Sequence, residues 1–243
     1  MFNKRHIVRT IAATVSILAL SFTAACGSGQ STASNSTDSD DITQQTYKPG
    51  KLTIATGQPA YEPWVMNDKP ESGEGYEAAV AYAVADKLGF KKSDVVWTRT
   101  AFDTAIAPGA KDWDFNIQQF GITDERKKAV DFSSSYYNDS QSVVVKKDSK
   151  FANATKVSDL KDATVGVMVG TLAYDYAKAN IKDDIQTFND DAALAQALDA
   201  GQIDALVTST VECVYMVQSE QVKDAKVLGR LPDSEDKSGM GIV

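Results

Sequence analysis

The run Gly121-Ile122-Thr123-Asp124-Glu125-Arg126-Lys127-Lys128 sets one guanidinium among groups suited to holding an anion. Arginine can clamp a carboxylate through two parallel hydrogen bonds, which lysine cannot do. Its neighbours read as a loop turning into a short helix. Thr123 stands where an N-cap belongs, and its hydroxyl can satisfy an orphan backbone N–H. Asp124 and Glu125 occupy the first turn, where the helix dipole favours negative charge, and Lys127 and Lys128 close it with the opposite sign. Arg126 is therefore a candidate carboxylate site, although the local pattern also fits a solvated, charged turn. After Cys26 the only arginines are Arg99, Arg126 and Arg230.

Several other chemistries are excluded. The one histidine, His6, precedes Cys26, so no His-dependent triad or His-bearing zinc site can be built from the residues that follow. Cys213 is the only cysteine after Cys26 and has no partner for a disulfide there. The chain carries a formal charge of −8 and shows no basic stripe, which argues against a nucleic-acid partner.

The segments that must position Arg126 follow in order. Residues 1–26 read as a leader, with Lys4, Arg5 and Arg9 ahead of a short apolar run, Ile11 to Phe22. Ala24-Ala25-Cys26 resembles the end of a bacterial lipobox, with Thr23 where leucine is usual. The reading is a lipidated Cys26, and the alternative is an ordinary secretory signal. Residues 27–46 are polar and small, as expected of a disordered tether. From Lys51 onward strands and helices alternate. Strands are predicted at Leu52–Ala55, Val95–Trp97 and Trp113–Ile117. A helix is predicted from Gly75 to Leu88 with Val80, Val84 and Leu88 on one face, and a short one begins at Phe102. A strand from Ser142 to Lys146 leaves this unit. A second unit follows, with strands near Thr164–Val167, Ile185–Phe188, Ile203–Val207 and Val227–Leu228. Its helices run from Leu172 to Asn180, from Ala192 to Ala200 after an Asp190 cap, and from Val211 to Ser219.

The run Thr123-Asp124-Glu125-Arg126, then Asp131-Phe132-Ser133 and Tyr136-Tyr137, resembles the "TxERxxxxDFSxxYY" pattern of the amino-acid-type solute-binding proteins of ABC importers. The resemblance covers roughly Lys51 to Val243. It implies an α/β fold of two lobes, each an open sheet flanked by helices, with lobe one at 47–141 and lobe two at 142–238. Residues 239–243 then begin a return crossing to lobe one. The family continues for a few tens of residues beyond the equivalent of Val243, so the resemblance leads one to expect an incomplete first lobe.

The resemblance also assigns roles. Arg126 would grip a ligand carboxylate. Tyr61 matches an aromatic packed over the ligand, and Phe102 matches an apolar wall, though Tyr61 and Trp64 would equally suit the core. Gln119, with Gln118, would face the ligand or fill the pocket. Gly121 would permit close backbone approach, and Thr123 would serve as cap, as ligand donor or as both. Gly170 and Thr171 precede a helix start whose open N–H groups could complete the clamp, with Leu172 where a second hydroxyl is common. The strand Ile203-Asp204-Ala205-Leu206-Val207-Thr208 matches "xDAxxTD", whose last aspartate receives the ligand ammonium. Here that position is Ser209, so either Glu212 substitutes or the ligand lacks a conventional ammonium. No cofactor or metal is implied. The partners implied are a small carboxylate-bearing solute, expected to be an amino acid, and a membrane ABC permease. Lipid on Cys26 would supply the contact with the membrane. A dehydratase-like enzyme on the same fold and a sensor ectodomain are the rival readings.

Overall fold

Strands β1 (Leu52–Thr56), β2 (Val95–Arg99) and β3 (Phe115–Asn116) form a parallel sheet in the order β2-β1-β3. The computed structural model describes residues 41–243, all within one compact unit. The leader, Cys26 and most of the predicted tether lie outside the described residues. Among the described residues no helix is long and apolar enough to cross a membrane. Ordered chain begins ahead of the expected boundary at Thr46. The Asp41 carboxylate accepts from the Thr43 N–H, a 3-10 turn covers Ile42–Gln44, and Gly50 N–H donates to Thr43 O at 2.7 Å.

β1 is buried along its whole length, as befits the central strand of a sheet covered on both faces. Helix α1 (Tyr76–Lys87) covers it, but not with the expected stripe. Its fully buried residues are Glu77, Ala78, Ala81 and Ala85, while Val80 and Leu88 pack from the flank against Leu52, Ile54 and Phe90. Alanines have little side chain to hold the helix off the sheet, so the small residues take the close face. Two further expectations are corrected. The third strand is only Phe115–Asn116, and the helix expected after Thr123 is a single 3-10 turn, Arg126–Lys128. Helix α2 (Phe102–Ile106) completes this lobe's described helices.

Lobe two is built on a larger sheet. Strands β4 (Gln141–Lys146), β5 (Val165–Met168), β6 (Gln186–Phe188), β7 (Ala205–Ser209) and β8 (Ala225–Arg230) lie in the order β6-β5-β7-β4-β8. β4 runs antiparallel to both of its neighbours. Period-two alternation divides its valines: Val143 and Val145 face a core that includes Val165 and Val167, and Val144 faces one that includes Leu194 and Leu198. Helices α3 (Leu172–Asn180), α4 (Asp191–Asp199) and α5 (Thr210–Gln218) close these cores.

Two crossing segments join the lobes and bond to each other. Asp236 N–H donates to Asp139 O at 2.8 Å, and Met240 N–H donates to Tyr137 O at 2.7 Å. Beyond the crossing, residues 240–243 lie along lobe one, with Asn116 and Val243 exchanging backbone hydrogen bonds at 2.8 and 3.0 Å.

Candidate functional site

A cavity, partly open to solvent, lies between the lobes. Lobe one lines it with Tyr61, Phe102, Gln118, Gln119, Gly121 and Arg126. Lobe two contributes Met168, Thr171 to Ala173, Asp191, Thr208, Ser209 and Glu212, and the crossing segments with β4's first residue contribute Asp139, Gln141, Asp236 and Met240. Eight of the ten residues expected to bind ligand thus share one space. Thr123 and Gly170 support it from behind.

Arg126 spans the cleft. Its Nη1 donates to Gly121 O at 2.8 Å in lobe one, and its Nη2 donates to Gly170 O at 2.9 Å in lobe two. The guanidinium sits 5.4 Å from the centroid of the Phe102 ring, a favourable cation–π distance, and that ring packs on Phe120. Burial lowers its pKa, while Asp175 and Asp236 favour its charge. Thr123 acts as the expected cap, its hydroxyl accepting from Arg126 N–H at 3.1 Å. Gly170 contributes a carbonyl rather than an open N–H, from a left-handed turn at φ +74°. Thr171 caps α3, accepting from Tyr174 N–H at 3.2 Å and donating to Met168 O at 2.8 Å.

Gly121 is required by proximity rather than by its torsion angles. A Cβ there would lie 2.6 Å from Leu172 Cδ1 and 3.1 Å from Asp236 Oδ2. The lobes therefore meet closely at this point, and lobe two's Leu172 is the contact.

Gln119 reaches the cavity but is committed elsewhere. Its backbone takes φ +52°, its N–H donates to Glu77 Oε1 at 2.8 Å, and its side-chain amide also bonds Glu77. Glu77 is fully buried, takes a further hydrogen bond from Tyr136, and faces no basic side chain in these contacts. Burial pushes its carboxyl up to about 7, against the lowering effect of these donors. Gln119 therefore orders lobe one's floor more than it offers its amide to a ligand. Tyr61 crosses the cleft: its hydroxyl oxygen lies 3.5 Å from Ala192 N–H at the start of α4, and burial raises its pKa.

The opposite wall is acidic. Ser209 caps α5, its hydroxyl accepting from Glu212 N–H at 3.2 Å. Glu212 turns back into the cavity, where the Thr208 hydroxyl lies 2.6 Å from its Oε2 and 3.4 Å from Asp191 Oδ1. Asp191 and Glu212 are 6% and 7% exposed. Burial raises the pKa of both, and like charge adds to it: Glu212 acts on Asp191, and Asp139 acts on Glu212. Asp139 is also raised by burial, partly offset by the Ser140 N–H and the Ser209 hydroxyl. Asp139, Asp191 and Asp236 were not anticipated as site residues. The one available signal was the pair Asp190-Asp191, since a helix start needs only one capping acid; Asp190 caps α4 and Asp191 is left to face the cavity. Among the described residues no group of three or more His, Cys, Asp or Glu side chains is placed to hold a metal ion.

The family model for bacterial extracellular solute-binding proteins, family 3, matches residues 52–207. The L-cystine-binding protein TcyJ of Escherichia coli strain K12 is 31% identical over 160 residues, covering 65% of this chain and 59% of that protein. The chain thus spans about three-fifths of that relative's length. The glutamine-binding protein of Geobacillus stearothermophilus is 32% identical over 225 residues, covering 84% and 82% of the two chains. Among solved structures, an ancestral arginine-binding protein bound to arginine superposes with a TM-score of 0.64 at 32% identity, covering 79% of this chain and 83% of the other.

Proposed function

This chain belongs to the bacterial extracellular solute-binding proteins, family 3, and on that premise we propose that it captures an amino acid for an ABC importer. The observation that carries this reading is the bridging of the cleft by Arg126. A guanidinium has five N–H donors, and two here hold backbone carbonyls of opposite lobes. The others can take a ligand carboxylate, and the acidic wall can take its ammonium. The relatives named above are named for cystine, glutamine and arginine, which all carry both groups. A solute touching both walls stabilises the closed arrangement over an open one, which gives a membrane permease a shape to recognise. This reading involves no chemical step.

Calorimetry with amino acids and their methyl esters tests it. At least one free amino acid should bind, and its ester should bind far more weakly because Arg126 loses its anionic partner. Equal binding of acid and ester, or no binding by any amino acid, overturns the reading. We further propose, from the Ala24-Ala25-Cys26 pattern alone, that a lipid on Cys26 holds the protein at the outer face of the membrane. Cys26→Ala should then release it from the membrane fraction; retention there would refute the anchor.

A further inference from the structure

The charge on the cavity wall is lopsided. Arg126 is the one basic residue among the described residues that line it, against four carboxylates: Asp139, Asp191, Glu212 and Asp236. Asp236 is near enough to Arg126 for the two to attract, so with a ligand carboxylate also bound Arg126 has no positive charge to spare for the other three. Asp139, Asp191 and Glu212 then face the cavity with no basic side chain lining it to oppose them. Burial favours the protonated form of all three while the cavity lacks a cation, and a lone α-ammonium would supply one positive charge where three carboxylates could ionise.

Hydrogen bonding shows the same shortfall. Thr208 has a single hydroxyl proton, yet its oxygen stands between Glu212 at 2.6 Å and Asp191 at 3.4 Å. It can serve one of them well. Gln118, 8% exposed and lining the same cavity, has a side-chain Oε1 with no hydrogen-bond partner among the described residues. These are acceptors waiting for donors. Buried carboxylates left unpaired are costly, so a ligand that brings both donors and charge gains where a neutral one does not.

We propose that the solute is a cationic amino acid, with one carboxylate and two positive charges, whose side-chain ammonium or guanidinium is held by Asp191 and Glu212 on lobe two. The proposal rests on the amino-acid-binding reading above and narrows it. Arg126 and the Asp191–Glu212 pair would then hold opposite ends of one molecule, with Asp139 and the Ser209 hydroxyl beside the α-ammonium.

The test compares ligands matched in shape and different in charge, using the full chain and calorimetry near neutral pH. Arginine should bind at least tenfold tighter than citrulline, and lysine at least tenfold tighter than norleucine. Glu212→Gln and Asp191→Asn should each narrow these ratios. The ratios measured on the unaltered protein decide the matter even if a variant folds poorly. Ratios below tenfold for both pairs overturn the cationic assignment and leave the amino-acid reading standing. Agmatine, which has the cations of arginine without its carboxylate, should bind much more weakly than arginine; equal binding would make this a polyamine site and overturn the assignment. If no amino acid binds a folded protein, the underlying reading fails and the assignment fails with it.

Discussion

The two walls of the cleft hold charge in different ways. Lobe one presents Arg126, whose guanidinium is held by Gly121 O of its own lobe and laid over Phe102, so its position is set within lobe one, with Gly170 O added where the lobes meet. Lobe two presents Asp191 and Glu212, which compete for one Thr208 hydroxyl. The contrast teaches that anion recognition is preorganised here, whereas cation recognition is left incomplete until a ligand supplies donors. Preorganised contacts spend less of the binding energy on ordering. The lobes also differ as scaffolds. Lobe two packs a five-stranded sheet between two apolar cores, while lobe one rests on three strands and buries Glu77 beneath its site.

Removing the preorganised half should have the largest effect. Arg126→Ala should weaken binding of the solute by ~2–5 kcal/mol, because a desolvated carboxylate loses its paired charge. Calorimetry measures the loss, and a melting temperature close to the parent's would show that the fold survives. An affinity within twofold of the parent would reduce Arg126 to a lobe-to-lobe strut.

Next comes the scaffold difference, read through pH. The Glu77 carboxyl is raised from 4.5 to about 7 in the folded protein, so the folded state holds the proton more tightly than the unfolded chain. Its contribution is complete below about pH 4.5 and is lost as pH rises through about 7, a span worth about 3 kcal/mol. Urea unfolding at pH 5 and pH 8 should show greater stability at the lower value from this group, and Glu77→Gln should flatten the difference. A slope unchanged in that variant would assign the pH dependence to other carboxylates, among which Asp191 and Glu212 are also raised.

The smallest expected effect lies where the lobes touch. Gly121→Ala would place a methyl 2.6 Å from Leu172 Cδ1, and overpacking of this kind costs about 1–3 kcal/mol, here charged to the closed state. Ligand affinity should fall by about tenfold, which is about 1.4 kcal/mol. Leu172→Ala in the same protein should restore most of it, since contacting residues couple. A double variant no better than the single one would show that the loss comes from Asp236, 3.1 Å away, or from the backbone.

Local elements and half of the site were legible in the sequence because their signals are local. The helix expected from Leu172 to Asn180 is α3, and Asp190 caps α4 as its type and place suggest. Arg126 could be singled out because guanidinium, cap and charged turn stand within a few residues of one another, and Thr123 does cap it. Even the substitution at Ser209 pointed to Glu212, one helical turn away, and the structure brings Glu212 into the cavity. The buried face of α1 was misread because periodicity ranks residues by hydrophobicity, whereas close packing on a sheet selected small ones, with Glu77 among them. Only the tertiary structure decided that Asp139, Asp191, Glu212 and Asp236 share one space. They come from a crossing segment, two helix starts and the return path, and no short-range pattern links them. In the chain each of the three aspartates reads as a cap or a solvated surface charge. Burial around one cavity, with Asp191 and Glu212 sharing a single hydroxyl, turns them into a demand for positive charge that no local pattern states.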